Sequence, residues 1–187
     1  MTFTAFQVQR VCHYAPAARV FQMLPPLNDC LPRAEITSGL RGAMFLAQLA
    51  HESAEFRYLE EIADGHLYDI RVNPRLAQKL GNVQPGDGAR FKGRGPIQVT
   101  GRANYAQMSA ALGVDFIAHP ELLAEPRYGF AAAAEFWRAH GCNAPADAGD
   151  VEACTKLING GLNGIDFRVG YYKRAVEALG LERLGVA

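Results

Sequence analysis

The sequence lacks the features that mark membrane-spanning and nucleic-acid-binding proteins. It contains no uninterrupted apolar run of the roughly 20 residues that a transmembrane helix needs. Its 19 lysines and arginines balance 19 acidic residues, which gives a formal net charge of +0. A nucleic-acid-binding surface normally shows as an excess of basic residues. We therefore expect no stable membrane insertion and no nucleic-acid partner, although a local basic patch could still meet an anionic polymer.

Cysteine is scarce, and its spacing does not favour metal binding. Cys12, Cys30, Cys142 and Cys154 form no C-x-x-C pair and have no histidine at a zinc-binding spacing. This pattern predicts reduced, buried thiols, and it leaves a Cys142–Cys154 disulfide open without requiring one. We expect no metal and no cofactor.

The N-terminal segment has none of the three parts of a secretory signal peptide. "MTFTAFQVQRVCHYAPAARVF" lacks a basic start, an apolar centre and a small-residue cleavage site. The sequence thus predicts a protein that is cytoplasmic when synthesised. Action outside the cytoplasm would then require release through a membrane pore.

The chain of 187 residues is 49% hydrophobic, which is enough for the core of one domain. Residues that start and stop helices predict a mainly helical fold, with Trp137 packed in the core. Helices are expected before Pro32 with an interruption at Pro25-Pro26, over Thr37–Phe56 with Thr37 or Ser38 as the N-cap, from Asn73-Pro74 to Leu80, and over Arg102–Leu112, Pro126–His140, Asp150–Ile158 and Asp166–Leu179. We expect one domain over residues 1–187, with no separate binding module.

One long segment stands apart from the helices because it is rich in glycine. "GNVQPGDGARFKGRGPIQVTG" runs from Gly81 to Gly101, and only its "PIQVT" part has strand character. Irregular segments of this length in compact domains are usually functional or disordered. The mixture of apolar and basic residues argues against disorder, so we expect this loop to contribute to a site.

A cluster of acids closes the apolar helix that precedes this loop. In "FLAQLAHESAEFRYLEE", which begins at Phe45, packing residues lead into Glu52, Glu55, Glu60 and Glu61. Such a helix end is either solvated or one side of an active site, and a single glutamate favours the solvated surface. Two later blocks, "GRGPIQVTGRANY" and "INGGLNGIDFRVGYYKR", favour a site.

Together these blocks resemble glycoside hydrolase family 19, which contains plant-type chitinases and bacterial or phage cell-wall lysins. The segments "AHES", "GRGPIQVTGRANY", "INGG" and "FRVGYYKR" are similar, in this order, to segments of the family, and "LGNVQPGDGARFKGRG" is similar to its bacterial branch. The resemblance covers nearly the whole chain. It implies a mainly α, lysozyme-like, two-lobed domain with a substrate cleft and at most a small β element.

The resemblance also implies catalysis by two carboxyl groups. Hydrolysis of a glycosidic bond needs an acid that protonates the leaving oxygen and a carboxylate that activates water or attacks the sugar. The resemblance assigns the acid to Glu52 and the base to Glu61, facing each other across the cleft, with Thr100 helping to hold the water. An acid at the end of a buried helix suits a carboxyl that must stay protonated. Glu60 is the alternative base, because a slip of one residue exchanges it with Glu61.

By the same mapping, further polar residues line the cleft. Arg168 is implied to pair with the base and keep it ionised, whereas a surface salt bridge is its ordinary alternative. His51 is implied to support the site by hydrogen bonding. The implied substrate-binding set is His51, Gln98, Asn104, Tyr105, Asn159 and Arg168.

Three departures from the family pattern mark this chain. Asn163 stands where plant-type members carry a glutamate of the network around the base, so the base is expected to be tuned differently. Ala54 and Glu55 replace common glycines, which predicts a helix that continues further before the chain turns. Ala103 replaces an aromatic residue of plant enzymes, which predicts fewer sugar subsites.

Four basic residues cluster around the glycine-rich loop: Arg90, Lys92, Arg94 and Arg102. They either meet the lactyl and peptide carboxylates of a cell wall or pair with nearby acids. The sequence favours neither of these roles over the other.

The function predicted from these features is inverting hydrolysis of β-1,4 links in an N-acetylhexosamine polymer. Peptidoglycan is favoured over chitin, because a compact chain without a signal peptide or a binding module has the layout of a phage endolysin. We expect a monomer. Chitin oligomers are the alternative substrate, and a non-catalytic glycan-binding protein is the alternative of another class. A peptidase-type lysin lacks support, because no zinc-spaced set and no Cys-His signature stands out.

Overall fold

The computed structural model describes residues 1–181, which are mainly helical, as the sequence predicts. Two short 3₁₀ turns in this part of the chain are His66–Tyr68 and Pro120–Ala124. In chain order the α-helices are α1 (Ala5–Val11), α2 (Ala17–Cys30), α3 (Gly39–Glu52), α4 (Pro74–Lys79), α5 (Asp87–Arg90), α6 (Arg102–Leu112), α7 (Pro126–Ala139), α8 (Asn143–Asp147), α9 (Val151–Asn159) and α10 (Ile165–Ala178).

The chain divides into two compact units. Unit 1 comprises Met1–Arg57 together with the chain from Ala134 onward, and unit 2 comprises Tyr58–Ala133. Helix α7 begins in unit 2 and ends in unit 1. The organisation as one catalytic domain stays a prediction.

Helix α3 forms the centre of unit 1. Every residue from Gly42 to Ala50 is buried, so this helix is enclosed on all sides rather than amphipathic. It packs against α1, α8 and α10. Its first turn begins as predicted at Ser38, whose hydroxyl accepts a hydrogen bond from the backbone N–H of Arg41.

Trp137 lies in the same core. Its ring packs edge-to-face against Phe45, with ring centroids 5.1 Å apart, and its indole N–H donates to Asn143 over 2.7 Å. The side chain is fully buried, which confirms the predicted packing role.

Helix α2 corrects the expected interruption at Pro25-Pro26, because it continues through both prolines to Cys30. A proline inside a helix removes its own N–H bond and crowds the preceding turn. The buried face of α2 offsets this cost, since Val20, Met23 and Leu27 recur at helical spacing and all contribute to the core.

The end of α3 also differs from the expectation. The helix stops at Glu52 instead of continuing toward Phe56, because Ala54, Glu55 and Phe56 adopt left-handed backbone conformations with φ of 48°, 61° and 63°. Each such residue costs about 1–2 kcal/mol when it carries a side chain. The replacement of glycine by Ala54 and Glu55 therefore does not extend the helix. The chain turns sharply immediately after Glu52.

In unit 2 the helix signals are confirmed at two places. Asn73 caps α4 by accepting from the N–H of Leu76, and Pro74 takes the first helical position. Helix α6 ends at Gly113, whose φ of 68° is the left-handed conformation typical of a helix C-terminus.

The glycine-rich loop of residues 81–101 contains a short helix that the sequence did not reveal, α5. The strand expected at "PIQVT" does not form as a named strand in the described residues. Instead, Arg94 makes isolated antiparallel bridges with Glu60 on one side and Val99 on the other. These pairings hold three short extended segments side by side without building a sheet.

All four cysteines are buried free thiols, as predicted, and they lie within the described part of the chain. The Cys142–Cys154 disulfide that the sequence left open is not formed. Among residues 1–181, no helix is long and apolar enough to cross a membrane.

Candidate active site

Glu52 is the last residue of α3 and lies in a cluster of side chains within unit 1. Its side chain is 18% exposed, and one of its oxygens accepts a hydrogen bond from Nη2 of Arg168 on α10. The Arg168 side chain is only 2% exposed, so this ion pair is largely removed from water. We call the group of Gln48, His51, Glu52 and Arg168 the Glu52 cluster.

Gln48 fixes the arginine of this cluster. It lies one helical turn before Glu52 on the same face of α3, and its Oε1 accepts from Nη1 of Arg168. Its Nε2 donates to the hydroxyl of Thr155 over 3.2 Å, and that hydroxyl donates to the Val151 carbonyl over 2.7 Å. The chain of bonds therefore anchors the Arg168–Glu52 pair to helix α9.

The loop after α9 supplies a further acceptor. Arg168 Nε donates to the backbone carbonyl of Asn163 over 3.2 Å. The side chain of Asn159 holds this loop, because it donates to the same carbonyl and accepts from the N–H of Gly161. The resemblance made Asn159 a substrate ligand, whereas its amide here makes both of these bonds within its own loop.

His51 precedes Glu52 and is half-buried against the start of α10. An ideal side-chain carbon on Gly164 would lie 2.4 Å from the imidazole ring, so only glycine leaves room for His51 here. Burial and the positive charge of Arg168 lower the pKa of His51, although Glu52 acts in the opposite direction. The imidazole is therefore neutral near pH 7, which suits the predicted supporting role better than a proton donor.

Glu61 lies in a second cluster, within unit 2. One carboxyl oxygen accepts from the hydroxyl of Tyr68 over 2.9 Å, and the other accepts from the N–H of Gly93 over 3.1 Å. The backbone N–H of Glu61 also donates to the Gly93 carbonyl over 2.9 Å. Burial, followed by the hydrogen bond to Glu61, raises the pKa of Tyr68 to about 12, so this hydroxyl stays protonated and keeps donating.

Gly93 brings the Glu61 carboxyl together with two other predicted site residues. An ideal side-chain carbon on Gly93 would lie 2.6 Å from Gln98 Oε1, 3.2 Å from Thr100 Oγ1 and 3.3 Å from Glu61 Oε2. Three oxygen-bearing groups therefore surround a position that only glycine leaves open. We call Glu61, Tyr68, Gly93, Gln98 and Thr100 the Glu61 cluster.

The hydrogen bonds of this cluster determine which of its oxygen atoms can still accept a hydrogen bond. The Thr100 hydroxyl donates to the Gln98 carbonyl over 2.9 Å, which leaves its oxygen able to accept from a water molecule. Gln98 Nε2 donates to the Gly95 carbonyl over 3.0 Å, and Gln98 has a left-handed φ of 56°. Asn104 is exposed at the start of α6 and donates to the Thr100 carbonyl over 2.7 Å.

Comparison with known proteins decides the family. A model of glycoside hydrolase family 19, described as "Chitinase class I", matches residues 37–152, more than half of the chain. The chain belongs to glycoside hydrolase family 19. The resemblance read from the sequence is thereby confirmed, and the prediction of a glycoside hydrolase is confirmed at the level of the family.

Relatives and a solved structure agree with this assignment. A "Glycosyl hydrolase family 19 domain-containing protein" of Haemophilus influenzae is 32% identical over 168 residues, which cover 76% of this chain and 82% of that protein. Endochitinase 1 of Theobroma cacao is 30% identical over 171 residues, which cover 74% of this chain and 53% of that protein. This chain thus spans about half the length of the plant endochitinase.

The fold is shared with chitinase C from Streptomyces griseus HUT6037. The TM-score is 0.74 at 20% identity, and the match covers 95% of this chain and 76% of that structure. At this identity the likeness shows the fold alone. It confirms the predicted mainly helical, lysozyme-like fold class.

For this family-19 chain, the partner of Arg168 corrects an implied role. The resemblance paired this arginine with the base, but its ion-pair partner here is Glu52, the implied acid. The reason is the packing of α10 against α3, which brings Arg168 beside the last turn of α3. The Arg168 guanidinium donates hydrogen bonds to Glu52, Gln48 and the Asn163 carbonyl. Its side chain is only 2% exposed, so it also lacks the exposure that direct substrate binding requires.

Tyr105 is a second correction, because it is buried and not part of a substrate-facing surface. Its ring packs edge-to-face against Phe91, and its hydroxyl donates to the Lys92 carbonyl over 2.7 Å and accepts from Arg94. Burial raises the pKa of Tyr105 to about 12. The tyrosine therefore supports the loop that carries the Glu61 cluster.

The basic residues around the glycine-rich loop are engaged within unit 2, which favours pairing with nearby acids over wall binding. Glu60 forms ion pairs with Lys92 and Arg94, and Arg102 forms a two-bond pair with the buried Asp87. Arg90 donates to backbone carbonyls at residues 117 and 118. Glu60 is 45% exposed and salt-bridged, which is typical of a solvated surface charge.

Glu55 has a structural role that the sequence did not predict. Its carboxyl is 1% exposed and accepts from the backbone N–H of Tyr14 over 2.6 Å and from the hydroxyl of Tyr171 over 3.0 Å. Ser53 closes the same turn by donating to the Leu49 carbonyl and accepting from the N–H of Phe56. These bonds offset the cost of the left-handed turn that follows Glu52.

We expect Glu55→Gln to lower the free energy of unfolding by about 1–3 kcal/mol, because an amide nitrogen then faces a buried hydrogen-bond donor. Urea denaturation of purified protein measures the change. Glu152→Gln is the matched control, since Glu152 is 62% exposed and a surface substitution changes stability by less than about 0.5 kcal/mol. Equal stability of the two variants would show that the Glu55 carboxyl does not hold the turn.

Proposed function

We propose that this family-19 chain hydrolyses β-1,4 links of an N-acetylhexosamine polymer, with Glu52 as the general acid and Glu61 as the general base. The observation that carries the proposal is the Glu61 cluster. The carboxyl of Glu61 is held from both sides by Tyr68 and Gly93, and the Thr100 hydroxyl faces the same open position beside Gly93. This is the arrangement that a carboxylate needs to take a proton from a positioned water molecule.

The proposed reaction uses one water molecule and no covalent intermediate. Glu61 removes a proton from water while the water oxygen attacks the anomeric carbon of the sugar. Glu52 reacts in its protonated form, in which it is hydrogen-bonded to Arg168 instead of ion-paired with it. It gives its proton to the glycosidic oxygen, and the bond between that oxygen and the anomeric carbon breaks. The Thr100 oxygen, whose hydrogen is directed to Gln98, accepts a hydrogen bond from the attacking water.

Within this reaction class, we propose the glycan strand of peptidoglycan as the substrate and chitin as the alternative. Ala103 is exposed beside Asn104 and offers no aromatic surface, which supports a short binding site rather than the extended one of a plant chitinase. Chitin is supported by the endochitinases among the relatives. Internal pairing of the loop's basic residues supports neither substrate over the other.

Products released from the two polymers side by side test the substrate. We expect purified protein to release fragments with new reducing ends from peptidoglycan, with masses that match cleavage of the sugar chain and intact peptides. Chitin oligomers are the parallel substrate in the same buffer. Cleavage confined to chitin would replace the proposed substrate by the alternative, and fragments that differ at peptide bonds would refute glycoside hydrolysis.

The stereochemistry of the first product is a further prediction. Carboxyl groups about 6.5–9.5 Å apart leave space for a water molecule and give inversion, whereas a separation of about 5–5.5 Å allows direct attack and retention. A hydroxyl such as that of Thr100 has a catalytic purpose only if a water is held. We therefore expect a β-linked oligomer to release the α-anomer first, observed by proton NMR before mutarotation. A β-anomer as the first product would make Glu61 a nucleophile or remove it from the reaction.

A further inference from the structure

Phe167 is a large apolar side chain that is 70% exposed at the start of α10. Its ring lies beside the imidazole of His51, with centroids 6.3 Å apart and an angle of 31° between the rings. An exposed phenylalanine loses the favourable burial that its ring would gain in the core. Its position beside the Glu52 cluster makes the exposed ring a candidate for ligand binding.

The ring of His51 places Phe167 next to the Glu52 cluster. The two ring centroids lie 6.3 Å apart, and His51 precedes Glu52. Phe167 also precedes Arg168 in the chain, but successive side chains on a helix point in different directions, so only the contact with His51 places the Phe167 ring. The His51 imidazole packs closely against Gly164 at the start of α10. The Phe167 ring therefore lies beside a histidine whose position is restricted.

An aminosugar polymer has chemical groups that can bind the exposed Phe167 ring. A pyranose ring has an apolar face of C–H groups, and an N-acetyl group adds a methyl. Binding sites combine apolar and aromatic surface with a few polar groups that fix orientation. The Phe167 ring supplies the aromatic surface. His51 and Glu52, the two partly exposed members of the adjacent Glu52 cluster, supply the polar groups.

We propose that Phe167 is a binding platform for one sugar ring of the substrate beside Glu52. The Phe167 ring stacks on the C–H face of that sugar, and the neighbouring His51 ring supports the Phe167 ring. The inference rests on the proposed hydrolase function, because it names the glycan as the ligand.

Other exposed phenylalanines provide a matched control. Phe21 is 63% exposed on α2, in the same unit, and is not part of the Glu52 cluster. Replacing either ring by alanine removes a similar amount of exposed apolar surface. A general effect of lost surface aromatics would therefore appear in both variants, whereas a sugar platform affects one.

The experiment measures binding of tetra-N-acetylchitotetraose by calorimetry in a Glu52→Gln background, which separates binding from cleavage. We expect Phe167→Ala to weaken binding roughly 5- to 10-fold, Phe167→Tyr to stay within about 2-fold, and Phe21→Ala to leave binding unchanged. In proteins with Glu52 intact, Phe167→Ala should raise KM by a similar factor while kcat falls less.

The outcomes separate the platform from the hydrolase. Equal binding by Phe167→Ala and its parent overturns the platform while the proposed function stands. Weaker binding by Phe167→Ala in a protein that cleaves neither chitin nor peptidoglycan keeps the platform and refutes the hydrolase. A parent protein that binds no chitotetraose and cleaves neither polymer overturns both. Equal loss in Phe21→Ala also overturns the platform, because it indicates a non-specific effect.

Discussion

Glu52→Gln is expected to reduce glycan cleavage by about a hundred- to ten-thousand-fold, which is the usual contribution of a general acid. An amide has nearly the shape of the carboxyl but has no acidic proton to give to the leaving oxygen. Its oxygen still accepts from Arg168, so the cluster keeps its geometry. New reducing ends, counted over time with a soluble oligomer, measure the loss.

Stability has to be followed in the same variant, because Arg168 is buried and loses a charged partner. We expect the free energy of unfolding to fall by about 1–3 kcal/mol, which leaves the protein folded at assay temperature. Near-parental cleavage by folded Glu52→Gln would remove this residue from the acid role. If the parent protein also binds glycan without cleaving it, the result would instead support a non-catalytic glycan-binding protein.

Local signals in the sequence were sufficient for the fold class and for several helix ends. Ser38, Asn73 and Gly113 act through their own backbone neighbours, so their roles follow from a few adjacent residues. The order of the segments was enough to recognise the family. The family model matches residues 37–152, which include "AHES" and "GRGPIQVTGRANY".

Features that depend on distant packing were not predictable in the same way. Arg168 and Glu52 are separated by 116 positions, and only the contact between α10 and α3 decides that they pair. The left-handed turn after Glu52 needs hydrogen-bond donors from Tyr14 and Tyr171, which lie far from Glu55 in the sequence. Likewise, α2 passes through Pro25-Pro26 because its buried face outweighs a local penalty.

The second large effect is expected at Glu61, and comparison with Glu60 determines the register of the base. Glu61→Gln should reduce cleavage by a similar hundred- to ten-thousand-fold, because an amide cannot take the proton from water. Glu60→Gln should change activity by less than about 2-fold, since a surface ion pair contributes little. Both variants are compared with the parent at saturating substrate, where kcat reports the chemical step.

The geometry of the Glu61 cluster gives this comparison its sharpest form. Tyr68→Phe removes one hydrogen bond to the Glu61 carboxyl and keeps the ring, while Thr100→Ala removes the hydroxyl that holds water but no charge. Both should lower kcat less than Glu61→Gln does, because each loses positioning and keeps the proton acceptor. Combining either change with Glu61→Gln should then add little, since residues that act as one unit are not additive. Strong loss from Glu60→Gln with none from Glu61→Gln would move the base by one residue, and full additivity would show that Tyr68 and Thr100 act independently of Glu61.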